Sequence, residues 1–258
     1  MLKLSRVLLS LLLSLLCVAV FGQDHYDHAQ SSIDQFQSKG SANLPTDLRY
    51  AFRVDAARLS LRAEQDLDNQ NARVPSADFN LYYRLLTSIY ASDDLAKEIA
   101  ACGIHSANSI SVDYVELIYD KKVSWANPLQ EGIASIDHPA VNRLMEKYDL
   151  IIQSHRQISP REDAIIIRAA EPLNMSALTN TFYDLEGISK VDLGTNKKLS
   201  SDIQISPSDD GWDVHYLLYF EEDGVPQQHI WVYHVNKKWE IKFLSETGAP
   251  LIEGLNCR

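Results

Sequence analysis

Part-way along this chain the spacing of apolar residues changes, and that change constrains the fold more than any other feature. Before Tyr148 most apolar positions recur every three or four residues, as on one face of an amphipathic helix. Beyond Tyr148 they alternate, as in strands with one buried side. Helices followed by alternating strands imply an α+β protein: a helical N-terminal half, then a helix packed on an antiparallel β-sheet.

Leu48, Phe52, Ala56, Leu59, Ala63 and Leu67 predict a helix from Asp47 to Leu67. Phe79, Tyr82, Leu85, Leu86 and Ile89 predict a second from Ser76 to Ser92. Ser92 is the expected cap of a third, Asp93 to Cys102, which Gly103 stops. Val112 to Tyr119 fits either a strand or a helix. A fourth helix spans Asp137 to Lys147, with Asp137 as cap and Pro139 in the first turn, where its missing N–H costs nothing.

After the switch, strands are expected at Leu150 to His155, Ala164 to Arg168, Ile188 to Leu193, Asp202 to Ser206, Gly211 to Phe220, Gln228 to Val235 and Lys238 to Leu244. One helix, Asn174 to Leu185, interrupts them. This element order resembles cystatin-like and other helix-on-meander folds, which implies a helix lying across an antiparallel sheet. The expected organisation is residues 1–22 as a signal peptide, 23–46 as a polar, partly disordered leader, 47–148 as a helical region and 149–258 as an α+β region.

The first segment reads as an export signal. Lys3 and Arg6 precede a run from Val7 to Phe21 broken only by Ser10 and Ser14, followed by a cleavage position before Gln23. A run of about 15 residues falls short of the roughly 20 needed to span a bilayer. No stable membrane span is therefore expected after cleavage, and the chain is expected to be periplasmic, cell-surface or secreted. Removing residues 1–22 deletes Lys3 and Arg6 and no acid, so the net charge moves from -11 to -13. A chain this acidic is a poor partner for nucleic acid, which needs a basic footprint. Cleavage also removes Cys17 and leaves Cys102 and Cys257, which an oxidising compartment allows to pair.

Catalytic signatures are missing. No phosphate-cradling glycine loop, no nucleophile elbow, no HExxH and no CxxC occurs. No cofactor or metal is expected. Asp24-His25-Tyr26-Asp27-His28 gathers two imidazoles and two carboxylates, and a free amine with His25 would suit Cu(II) or Ni(II). An N-terminal Gln cyclises and removes that amine, so a solvated leader is the expectation. Asp66 to Asn71 lacks the glycine and the distal acid of a calcium loop. Glu221-Glu222-Asp223-Gly224 reads as a polar turn, and His105, His138 and His155 as surface or capping residues.

Eight of the 23 aromatic residues lie between Trp212 and Phe243. If Asn236-Lys237 is a two-residue turn, Val214, Tyr216, Leu218, Ile230, Val232, Trp239, Ile241 and Phe243 share the core side. The outer side then carries His215, Leu217, Tyr219, His229, Trp231, Tyr233, Glu240 and Lys242. The expected function is an exported, non-catalytic protein that binds another protein, a peptide or a glycan through His215, Tyr219, His229, Trp231 and Tyr233, since Tyr and Trp offer large area with a polar tip. The alternative is an exported hydrolase whose paired carboxylates carry no sequence signature, as in glycosidases.

Overall fold

The computed structural model describes residues 44–63, 71–107, 109–195 and 200–251. Contacts separate Met1–Pro45, of which only residues 44 and 45 are described, from Thr46–Arg258, to which everything below refers. The signal peptide, the leader with its His25 and His28 cluster, residues 66–70 and Cys257 lie outside the described residues.

The fold is α+β, with helices concentrated in the N-terminal half and two four-stranded antiparallel sheets. Helices α1 (Thr46–Ala63), α2 (Ser76–Tyr90) and α3 (Asp94–Ala101) stand where the periodicity placed them. Asp93, not Ser92, caps α3: its Oδ1 accepts from the Ala96 N–H at 2.7 Å, while the Ser92 hydroxyl donates back to Ile89 O. A carboxylate at that position also complements the helix dipole. Gly103 ends the helix at φ 66°. Val112 to Tyr119, ambiguous in sequence, becomes strand β1 (Tyr114–Asp120) because both its edges find partners.

A short 3-10 turn at Ser124–Ala126 runs into α4 (Asn127–Gln130), neither of which the periodicity revealed. Then come α5 (Pro139–Tyr148), β2 (Leu150–Gln157) and β3 (Glu162–Ala169). His138 occupies the cap position of α5 without a side-chain cap bond, so Asp137 is not the cap. The expected Asn174 to Leu185 helix divides into a 3-10 turn, Met175–Leu178, and α6 (Thr179–Tyr183), followed by β4 (Ile188–Asp192). The strand order is β2-β3-β1-β4, all antiparallel. Element sequence and strand order together are those of the ferredoxin-like split βαβ arrangement. β1 precedes residue 149 and β3 follows it, so one sheet spans the point where the apolar period changes.

That sheet buries one face. Val115 opposes Ile167 and Leu117 opposes Ile165, and all four are fully buried against Val141 of α5 and Phe182 of α6. Each such side chain contributes about 1.5–3 kcal/mol by leaving water. The helix of the second half therefore covers the first sheet, not the C-terminal one as its sequence position suggested.

The second sheet is a meander of β5 (Ser201–Pro207), β6 (Gly211–Glu222), β7 (Val225–Asn236) and β8 (Ile241–Gly248). Its helical cover comes from the start of the chain. Tyr233 Oη donates to Asp93 Oδ1 at 3.1 Å, and the Arg84 guanidinium lies 3.6 Å from the Trp239 ring centre. Arg62 at the end of α1 pairs with Asp202 on β5.

The register of this meander corrects the sequence reading. Asp223 and Gly224, at φ 53° and 77°, form a two-residue hairpin turn whose positive angles suit the strand twist. That turn pairs Glu222 with Val225 and so Val214 with Tyr233 and Tyr216 with Trp231. Asn236-Lys237 is not a two-residue turn. Asn236 Oδ1 accepts from the N–H groups of Lys238 and Glu240, Trp239 takes φ 65°, and Val235 faces Ile241. His229, Trp231, Tyr233 and Val235 consequently point inward and are buried, whereas Ile230 and Val232 point outward. The β6 side agrees with the side expected from sequence, whereas the β7 side is inverted, as a one-residue slip must do.

Trp231→Ala is expected to cost about 3–5 kcal/mol in urea unfolding, while Val232→Ala costs about 1 kcal/mol. The opposite order would restore the other register.

Candidate functional site

The outer side of the β5–β8 meander is built by cross-strand pairs of β6 and β7. Asp213 faces His234, His215 faces Val232, Leu217 faces Ile230 and Tyr219 faces Gln228. His215, Tyr219, Ile230 and Val232 are half-buried, and Leu217 is buried. A bulge in β8 between the partners of Tyr233 and Val232 leaves Leu244 unpaired, and its side chain is 45% exposed. Of the residues assigned to this side by sequence, His215, Leu217, Tyr219 and Lys242 are present. His229, Trp231 and Tyr233 are absent from it, because they lie in the core of the opposite side. There Tyr233 stacks edge-on with Tyr216 and Phe243, at 6.3 and 5.3 Å between ring centres. Burial, reinforced by Asp93, drives the Tyr233 hydroxyl far above the ordinary tyrosine range.

At one end of the outer side the surface turns polar. His234 Nδ1 is 2.7 Å from Asp213 and its Nε2 is 3.1 Å from Asp210. At the Tyr219 end, burial and the nearby Asp202 carboxylate raise the phenol's pKa. The side thus grades from an ion-paired end, through Val232, Ile230 and Leu217, to a tyrosine tip.

Two further side-chain clusters carry polar chemistry that sequence spacing could not reveal, since their members come from different elements. The first joins α1, the loop after α3 and β5. Asp55, fully buried, accepts from Ser106 N and Ser106 Oγ at 2.8 Å and lies 2.9 Å from His105 Nδ1. Asp202 accepts from both terminal guanidinium nitrogens of Arg62, Nη1 and Nη2, and from Ala107 N at 2.8 Å. Ser201 Oγ ties β5 to the same loop, accepting from His105 N and donating to His105 O. The hydrogen bond to Asp55 raises the His105 pKa against the opposing effect of burial.

The second cluster sits at the end of the buried side of the first sheet. His155 Nε2 lies 3.1 Å from Tyr119 Oη and 3.2 Å from Asp163 Oδ2, and Lys121 Nζ is 3.2 Å from Asp163 Oδ1. Burial, with the Asp163 charge adding to it, pushes the Tyr119 hydroxyl up to about 12. The Tyr119 ring packs 4.7 Å from that of Trp125, whose Nε1 donates to Glu186 O. His105 and His155, expected to be surface or capping residues, are both paired with carboxylates.

Asp55, Asp163 and Asp202, the buried carboxylates among the described residues, each face a cation, an imidazole or several N–H donors. Among the described residues no group of three or more His, Cys, Asp or Glu side chains could hold a metal ion. Asp223 belongs to the hairpin turn, as the sequence suggested. No family model matches the chain, and neither a curated protein nor a solved structure matches it.

The His105 pKa is raised in the folded state. Its contribution is therefore complete below the unfolded histidine value of about 6.5 and is lost as pH rises through the folded value. The urea midpoint of wild type minus that of His105→Gln should fall between about pH 5 and about pH 9. A constant difference would refute the linkage.

Proposed function

We propose that the chain is an exported, non-catalytic binding protein that meets a protein or peptide partner through the outer side of the β5–β8 meander. The observation that supports this most is the middle of that side, where half-buried Val232 and Ile230 stand beside His215 with Leu244 exposed at the bulge. Apolar groups flanked by an ion-paired end and a tyrosine are the composition of a recognition surface with a polar rim. A glycan is a weaker fit than the sequence implied, because Trp231 and Tyr233, the rings it would stack on, are buried.

A photo-cross-linking residue at position 232 or 215 is expected to give a discrete adduct in the native envelope or secretion fraction. The same residue in place of Tyr183, exposed on α6, should give none. Val232→Glu should lower the adduct yield from position 215 at least about tenfold, about 1.4 kcal/mol, with unchanged circular dichroism. Equal adducts from all three positions, or no effect of the glutamate, would remove the proposal.

Export has its own consequence. Residues 1–22 are removed, and Cys102 pairs with Cys257 to tie the region after α3 to the chain end. Among the described residues no helix is long and apolar enough to cross a membrane. The mass of the exported chain should correspond to a start at Gln23, less ammonia for its cyclisation and less two hydrogens for the bridge, and a non-reducing peptide map should join the two cysteine peptides. Free thiols in both peptides would exclude the bridge.

A further inference from the structure

His229 lies on the inner side of β7, opposite Leu218 of β6 and Gly248 of β8, and is 5% exposed. Its Nδ1 is 2.6 Å from Ala249 O and its Nε2 is 2.9 Å from Glu246 Oε1. A carbonyl oxygen and an ionised carboxylate only accept. A neutral imidazole has one N–H, so one of these two oxygens must then face a ring lone pair, whereas an imidazolium serves both. We propose that His229 is a proton-operated latch that fixes the end of β8, and the chain leaving it, against β7.

The backbone is shaped for this contact. Gly248 has φ +111°, and a Cβ there would lie 2.2 Å from Gln228 O and 2.9 Å from His229 Cα. Only a residue without a side chain lets β8 pass so close to the β7 backbone at Gln228 and His229. Ala249 N then donates to Gln228 O at 2.9 Å, so residues 246–249 close over the ring from both of its nitrogens. The Trp231 ring, 4.3 Å away between centres, walls the ring along β7. Among the described residues Glu246 is the charged side chain within ion-pair distance of His229, and none from β6 or the helical layer joins it.

His234 supplies the contrast on the same strand. It also sits between two acceptors, Asp213 and Asp210, but Asp210 is 73% exposed. Both of its partners are side-chain carboxylates, one on β6 and one in the turn before it. At His229 one partner is instead the main-chain carbonyl of Ala249, so the ring reaches the strand end itself where the chain departs from the sheet.

The test is hydrogen exchange of residues 245–251 at about pH 5.5 and about pH 8, the range in which histidines titrate. Rates are corrected for intrinsic exchange and normalised to the amides of β1. Protection is expected to be at least about threefold greater at the lower pH, reporting local opening of the strand end. Glu246→Gln, at a side chain 47% exposed and so compatible with folding, should reduce that ratio. Equal protection at both pH values in the wild type, or an unchanged ratio in Glu246→Gln, would overturn the latch.

Discussion

Two buried carboxylates hold the distant parts of this chain together. Asp55 on α1 and Asp202 on β5 bind the same short stretch, residues 105–107, through backbone N–H groups, a serine hydroxyl and an imidazole. Arg62 completes the link by pairing α1 directly with Asp202. Removing one partner from such a network leaves a buried charge exposed to an apolar interior, which is far more damaging than the pair is stabilising. The contact of the N-terminal helices with the C-terminal meander, and hence the burial of Tyr233 and Trp231, depends on this junction.

Much of the local structure was legible from spacing alone. α1 and α2 announced themselves by apolar residues every three or four positions, and every C-terminal strand by alternation. Two things escaped. The first was partnership: nothing in the sequence says that Phe182 packs on Leu117 and Ile165 while Asp93 meets Tyr233, because both are contacts between remote segments. The second was register. Asp223-Gly224 is a reliable turn signal and by itself sets the β6–β7 pairing. Anchoring the pairing on Asn236-Lys237 failed because the Asn236 side chain organises a longer turn, with Trp239 in a left-handed conformation.

That inversion redistributes chemistry between the two sides of the meander. The aromatic rings form the interior, edge to face, with Tyr233 reaching Asp93 at the start of α3. The outside keeps His215 and Tyr219 but gains Ile230 and Val232, so it is less aromatic and more plainly apolar. His105 and His155 could not be recognised as paired residues, since their carboxylates lie at sequence separations of 50 and 8 on other elements.

The insertion of the first sheet between the N-terminal helices and the meander they cover has a consequence for the order of assembly. The β1-to-β4 unit, Tyr114–Asp192, contains its own strands, covering helices and core. The first helices, by contrast, must wait for partners such as Asp202, 140 residues beyond Arg62. Long-range closure of this kind slows folding and prolongs the exposure of apolar helix faces. During synthesis or translocation the inner unit is therefore expected to be complete before the helices preceding it have found a sheet to cover.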